Sequence, residues 1–196
     1  MKNAKYVIIA IACICAICAG FFFFSQDNQE NEKNLTEIEK VTIRDLENNY
    51  PKTPREVVKF YNRIVKCYYG SELPTEEQLE DLVDQMLCLM DEDLLLVNPR
   101  DTYYNSVVAE INHYKSAKKQ LVSTDVCDTN DVKYVTDDKN GDAEKDNLAY
   151  VDATYFINTD GKFAYTYQEF VLRQDANGCW KILTFYQIKG EESDGK

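Results

Sequence analysis

YVDATYFINTDGKFAYTYQEFVLRQDANGCWKILTFYQI, residues 150–188, decides the fold. Its apolar residues recur with period two, the mark of a half-buried strand, and two turn signals cut it into three pieces. Asn158-Thr159-Asp160-Gly161 and Asn177-Gly178 are hairpin turns, because both end on a glycine that tolerates positive φ. The strands expected are 147–158, 162–174 and 179–189. A two-residue turn at Asn177-Gly178 pairs Ala176 with Cys179, which carries Phe170 onto Phe185 and Leu172 onto Leu183. A two-residue turn at Asp160-Gly161 sets Val151 opposite Phe170 and Ala149 opposite Leu172. The two registers agree on one apolar face: Ala149, Val151, Phe170, Leu172, Leu183 and Phe185. The opposite face carries Tyr150, Asp152, Thr154, Tyr165, Tyr167, Glu169, Tyr186 and Ile188, with Asp152 directly across from Glu169.

Upstream, the period changes to 3.6. Thr53 reads as a helix N-cap, Pro54 as the first helical residue, and Glu56 completes a capping box. Val57, Tyr61, Ile64, Val65 and Tyr68 make that helix's buried stripe, and Gly70 ends it. A second helix starts after Thr75, with Gln78 closing another box. Its stripe is Leu79, Leu82, Val83, Met86, Leu89 and Met90, and its end is expected near Leu96. A third spans about Pro99 to Lys115, with Tyr103, Tyr104, Val107, Val108, Ile111 and Tyr114 inward. His113, the single histidine, points away from that stripe. Gln120–Cys127 and Val132–Thr136 are further strands. Residues 36–52 read as an extended or weakly helical lead-in. Helices followed by an antiparallel meander define an α+β fold: three helices packed on a curved antiparallel sheet, in one domain of about 140 residues.

Residues 6–24, YVIIAIACICAICAGFFFF, hold nineteen residues without a charge. As a helix they span roughly 28 Å, close to the hydrocarbon core of a bilayer. Lys2 and Lys5 precede the run and Asp27 and Glu30 follow it, so the positive-inside rule leaves Met1 in the cytoplasm. A cleaved signal peptide is the competing reading, with Ala16 and Cys18 at its −3 and −1 sites, and secretion its outcome. Phe21–Phe24 carries the apolar run past that site, which favours a retained anchor. A lipoprotein site at Cys13 fits less well, since its −3 residue is Ala10. The organisation expected is 1–24 cytoplasmic tail and transmembrane anchor, 25–35 acidic tether, 36–189 extracytoplasmic domain, and 190–196 disordered tail.

The chain carries a net charge of −12. Removing Lys2 and Lys5 from its 22 basic residues leaves 20 against 34 acidic ones outside the membrane, a balance of −14. That argues against nucleic acid and anionic headgroups as partners. Of seven cysteines, Cys13, Cys15 and Cys18 fall in the anchor. Cys67, Cys88, Cys127 and Cys179 allow three full pairings. A domain of this size manages without staples, so mostly free, buried thiols are expected.

TPREVVKFYNRIVKCYYG at 53–70, VNPR at 97–100 followed by YYNSVVAEI, and YVDATYFINTDGKFAYTYQEFVLRQDANG resemble a family of uncharacterised, membrane-anchored bacterial proteins. The element order is similar to the nuclear-transport-factor-two-like (cystatin-like) cone. The resemblance covers roughly 36–189. It implies a cone-shaped roll with a hollow between helices and sheet, and an extracytoplasmic location. It implies no activity and no catalytic residues.

Tyr150, Asp152, Tyr167, Glu169 and Tyr186 are the candidate binding residues. Tyrosine is both apolar and hydrogen-bonding and suits interfaces, so the strip is a candidate for a protein or peptide partner or for self-association. The Asp152–Glu169 pair costs stability unless it is solvated, protonated or bridged by a cation. Asp152, Glu169 and Tyr186 have the identities an isomerase- or hydratase-like enzyme uses, but they lie on the face away from the helices. No GxSxG, phosphate loop or CxxC is present, so catalytic residues, metal ligands and cofactors are not expected. Placing Gly141 at the sixth position of a calcium loop sets Thr136 and Asn147 at the two key acidic positions, and both fail. Asp91-Glu92-Asp93 reads as a solvated helix edge. The function expected is a membrane-anchored extracytoplasmic binding or scaffold domain. The alternative is a subunit of a membrane-spanning complex, such as a conjugative-transfer scaffold, which shares the plan of short tail, one helix and exported roll.

Overall fold

The computed structural model describes residues 35–137 and 146–190. The proposed anchor, residues 25–34 of the acidic tether, residues 138–145 around Gly141, and the last six residues lie outside them. Among the described residues no helix is long and apolar enough to cross a membrane. The described residues form an α+β arrangement of five α-helices and one antiparallel sheet.

The chain divides between Lys40 and Val41 into two compact units. The described part of the first opens helix α1 (Glu37–Thr42). The Thr36 hydroxyl accepts from the Glu39 amide at 3.2 Å, and the Glu39 carboxylate accepts from the Thr36 amide at 2.7 Å. This reciprocal cap makes the lead-in a helical turn.

The second unit holds the remaining elements. Helix α2 (Pro54–Tyr69) starts as its sequence requires: Thr53 and Glu56 form a capping box and Pro54 takes the first position. It ends at Gly70, where a Cβ would lie 2.5 Å from the Lys66 carbonyl oxygen. Val57, Val58, Ile64 and Tyr68 are almost wholly buried, and so is Phe60. Each such side chain contributes about 1.5–3 kcal/mol of burial. Helix α3 (Glu76–Leu89) buries Leu79, Leu82, Val83, Met86 and Leu89 behind a second box at Thr75 and Gln78.

The expected long second helix stops seven residues early. Met90 is extended and bridges Ile182, and the Asp91 amide donates to the Ile182 carbonyl at 2.9 Å. Asp91 then caps a separate short helix, α4 (Glu92–Val97). Asp91 is also buried, which corrects its reading as a solvated edge. Arg173 clamps it with bonds of 3.0 and 2.5 Å and reaches Asp93 at 2.8 Å. A buried carboxylate needs such a partner. Helix α5 (Arg100–Ser116) buries Val107 and Ile111 while the tyrosines of its stripe stay half-buried. His113 is exposed.

Strands β1 (Lys119–Val126), β2 (Lys133–Asp137), β3 (Asp146–Thr159), β4 (Lys162–Gln174) and β5 (Trp180–Ile188) form the sheet. Its order is β1-β3-β4-β5, and β2 pairs the start of β3 beyond the end of β1. Asp160 at φ 50° and Gly161 at φ 84° make the expected two-residue turn. Val151 faces Phe170, Ala149 faces Leu172, and Asp152 faces Glu169 as expected. Phe170 also meets Phe185, but Leu172 meets Ile182 rather than Leu183. The reason is Asp175, whose carboxylate accepts from the amides of Asn177 at 2.9 Å and Cys179 at 2.8 Å. That side-chain turn enlarges the loop, and a bulge at Val171/Leu172 restores the register. Ile182 is therefore fully buried, Leu183 is half-buried and Phe185 is 37% exposed.

Helix α2 lies against β1, β3 and β5, and α5 against β1. The four cysteines of the described residues are free thiols. Cys67 alone of these is buried, Cys88 is exposed, and Cys127 and Cys179 are half-buried, so the expectation of mostly buried thiols is corrected.

Candidate binding site

The proposed strip forms on the sheet face away from α2. Tyr150, Asp152, Tyr167 and Glu169 are half-buried and Tyr186 is exposed. Tyr186 pairs with Glu169 across β5 and β4, and its hydroxyl donates to the Glu169 carboxylate. That bond holds the phenol proton and pushes the Tyr186 pKa up to about 12. Burial adds to this, and the nearby Glu169, Tyr150 and Asp152 charges push the same way. Four of the five strip residues are thus brought together. Tyr167 is packed under the chain's own Gly190, where a Cβ would lie 2.2 Å from its ring. Beyond it the same face continues into an aromatic cluster: half-buried Phe156 stacks on exposed Phe163 at 5.2 Å and meets exposed Tyr165 at 4.7 Å. None of the five strip residues borders a described cavity.

The concavity lies on the other side, between α2, α5 and the sheet. It encloses about 220 Å³. Six tyrosines line it: Tyr61, Tyr68 and Tyr69 from α2, Tyr103 and Tyr114 from α5, and Tyr155 from β3. The placement follows from local sequence. Tyr61, Tyr68 and Tyr69 fall on the inward sides of a helix buried almost all round. Tyr155 falls on the helix-facing side of β3, in step with Val151 and Ala153.

These phenols are not equivalent. Tyr155 donates to Asn62 Oδ1 at 2.7 Å, a buried pair that fixes α2 against β3. Tyr69 donates to Glu110 Oε2 at 2.6 Å, and its ring stacks on Tyr114 at 4.3 Å. Lys119 Nζ lies 4.4 Å from the Tyr114 ring centre. Glu110 is exposed, so this group stands where the hollow meets solvent. The Tyr68 hydroxyl is buried and has no hydrogen-bond partner. Tyr103 is its phenolic neighbour and the two shift each other's titration, but the pair does not reach hydrogen-bond geometry. Burial pushes Tyr61, Tyr68, Tyr69, Tyr103 and Tyr155 upward, and for Tyr69 the Glu110 bond adds to it. All five therefore stay neutral near pH 7.

Sequence reasoning placed Tyr61, Tyr68, Tyr103 and Tyr114 on inward stripes and expected a hollow from the resemblance, but it named none of Tyr69, Tyr155 and Glu110 as its lining. One signal was available. Glu110 sits three residues after Val107 and four before Tyr114, so an acid interrupts the inward stripe of α5. Among the described residues no cluster of His, Cys, Asp and Glu could hold a metal. A larger groove of about 630 Å³ lies along Arg44, Lys52, Lys59 and Arg63. Lys52 and Lys59 there are exposed, and Arg44 stacks over Phe60 at 4.6 Å.

Fold and hollow together define a class: an α+β domain with a phenol-lined cavity between its helices and one antiparallel sheet. Residues 1–185 match the family described as a domain of unknown function (DUF6715), and the chain belongs to that family. No curated protein matches it.

Proposed function

We propose that the chain is a membrane-anchored, extracytoplasmic binding domain of roll-like build that takes a small ligand in its hollow. One observation carries the reading. Tyr68 lines the cavity, and its hydroxyl is buried without a hydrogen-bond partner. Such a group costs about 1–3 kcal/mol, which a ligand's polar atom would recover. The uncharged run at 6–24, with Lys2 and Lys5 before it, supports the anchor and the outward orientation. Helices followed by an antiparallel meander support the cone-shaped roll. The chemistry proposed is binding rather than turnover, because Glu110 is the one acid lining the hollow and it is exposed.

The test is a thermal-shift screen of the full-length chain in detergent against small amines, polyols and carboxylic acids. Ser106→Trp, which fills the cavity from α5, is the blocking control. A ligand that raises the melting temperature of the native chain and not of the filled variant supports the reading. Equal shifts in both place the ligand elsewhere and sink it.

A second reading has its own support. The exposed aromatics Phe163, Tyr165 and Tyr186 beside the strip favour a protein contact, either self-association or a place in a membrane complex. A photo-crosslinking residue at Tyr186 in living cells tests it, with Lys133 as the exposed control. A defined adduct at Tyr186 alone supports a protein partner, and no adduct removes it.

A further inference from the structure

We infer that the hollow selects a small organic cation of the ammonium type, held by tyrosine rings and phenol oxygens with Glu110 as its counter-charge. The inference rests on the hollow being the binding site, and it goes further by naming the charge of the guest. Seven of the fifteen lining residues are aromatic. The lining includes Glu110 and no lysine, arginine or histidine. A cavity with that balance attracts a cation and repels an anion, and the overall charge of −12 acts in the same direction.

The donors and acceptors agree with this. Tyr69 uses its proton on Glu110 Oε2, so that carboxylate stays oriented at the mouth. Glu110 Oε1 makes no hydrogen bond among the described residues and can face a guest's positive charge. Ring faces hold cations through their quadrupole, most strongly where water is excluded. The protein already uses this at the rim, where the Lys119 ammonium covers the Tyr114 ring at 4.4 Å. Tyr69 also stacks on Tyr114, so this pair is a wall. Tyr61, Tyr68 and Tyr103 lie further in and supply the rings and the unpartnered phenol oxygen. A volume of about 220 Å³ is roughly seven times a water's share of the liquid, which suits a guest the size of a single ring or a branched amine.

The experiment compares choline with 3,3-dimethylbutan-1-ol, its uncharged isostere, by calorimetric titration of the full-length chain in dodecyl maltoside. Choline is expected to bind at least about tenfold more tightly than the alcohol. Glu110→Gln, which keeps an acceptor for Tyr69, should weaken choline and leave the alcohol unchanged. Tyr103→Leu should weaken both. Equal binding of the two probes overturns the charge preference while leaving the hollow as the site. Choline binding that neither substitution alters overturns the placement. No saturable choline binding up to millimolar concentration also overturns the inference, and the wider screen with Ser106→Trp then decides separately whether the hollow binds anything.

Discussion

Tyr68→Phe and Tyr155→Phe remove the same atom from two phenols of one cavity and should move stability in opposite directions. The Tyr68 hydroxyl is buried and unpartnered. Its removal relieves a desolvation cost of about 1–3 kcal/mol, less whatever loose water in the hollow already supplies, so a gain near 1 kcal/mol is expected. The Tyr155 hydroxyl donates to Asn62, which is 2% exposed and whose Nδ2 already lacks a partner. Removing it leaves the whole buried amide unsatisfied, for a loss of about 1–3 kcal/mol. For a domain of this size each kcal/mol moves the melting temperature by about 2–4 °C. Calorimetric melts of both variants at pH 7, without ligand, should therefore bracket the native chain. A Tyr68→Phe chain that melts several degrees lower would refute the reasoning, because the hydroxyl would then be held by a structural water and would not be waiting for a ligand.

Alkali should unfold the protein in a narrow window. The buried phenols have pKa values raised in the folded state, so above about pH 10 the unfolded chain releases protons that the folded chain keeps, and stability falls as pH rises. Melting temperature followed from pH 7 to 11 should stay flat and then drop, and an unchanged value at pH 11 would contradict the burial. Asp91→Ala should cost about 1–3 kcal/mol in denaturant melts, since Arg173 loses its buried partner and keeps only Asp93, and α4 loses its cap. Glu169→Gln should lower the Tyr186 pKa from about 12 toward 10, read by carbon NMR of the ring during titration, with no change in fold.

The hairpin between β3 and β4 was legible to the residue, because Asp160-Gly161 admits few turns and each strand has a single apolar side. The next hairpin was legible as far as its glycine. Asn177-Gly178 resembles a two-residue turn, yet Gly178 at φ 80° closes a loop that Asp175 organises from its own side chain. An aspartate two residues before Asn-Gly was the local clue. The break at Met90 had no such clue. The apolar period runs on through Leu94 and Leu95, and the stop comes from Ile182 and Arg173, far along the chain. For the site, periodicity identifies which tyrosines face inward but not whether they meet. Whether the six phenols leave a space between them depends on the spacing of α2, α5 and the sheet, which is a tertiary property.

Gly190 has a practical consequence for anyone handling this protein. Its backbone lies against the Tyr167 ring with no room for a Cβ, so the main chain at residue 190 covers part of the tyrosine strip. A side chain or label introduced at residue 190 would push the Tyr167 ring aside and disturb the strip, while leaving the mouth beside Glu110 untouched on the helical side. Substitutions at residue 190 thus spare assays of the cavity, and assays of the strip call for a native glycine there.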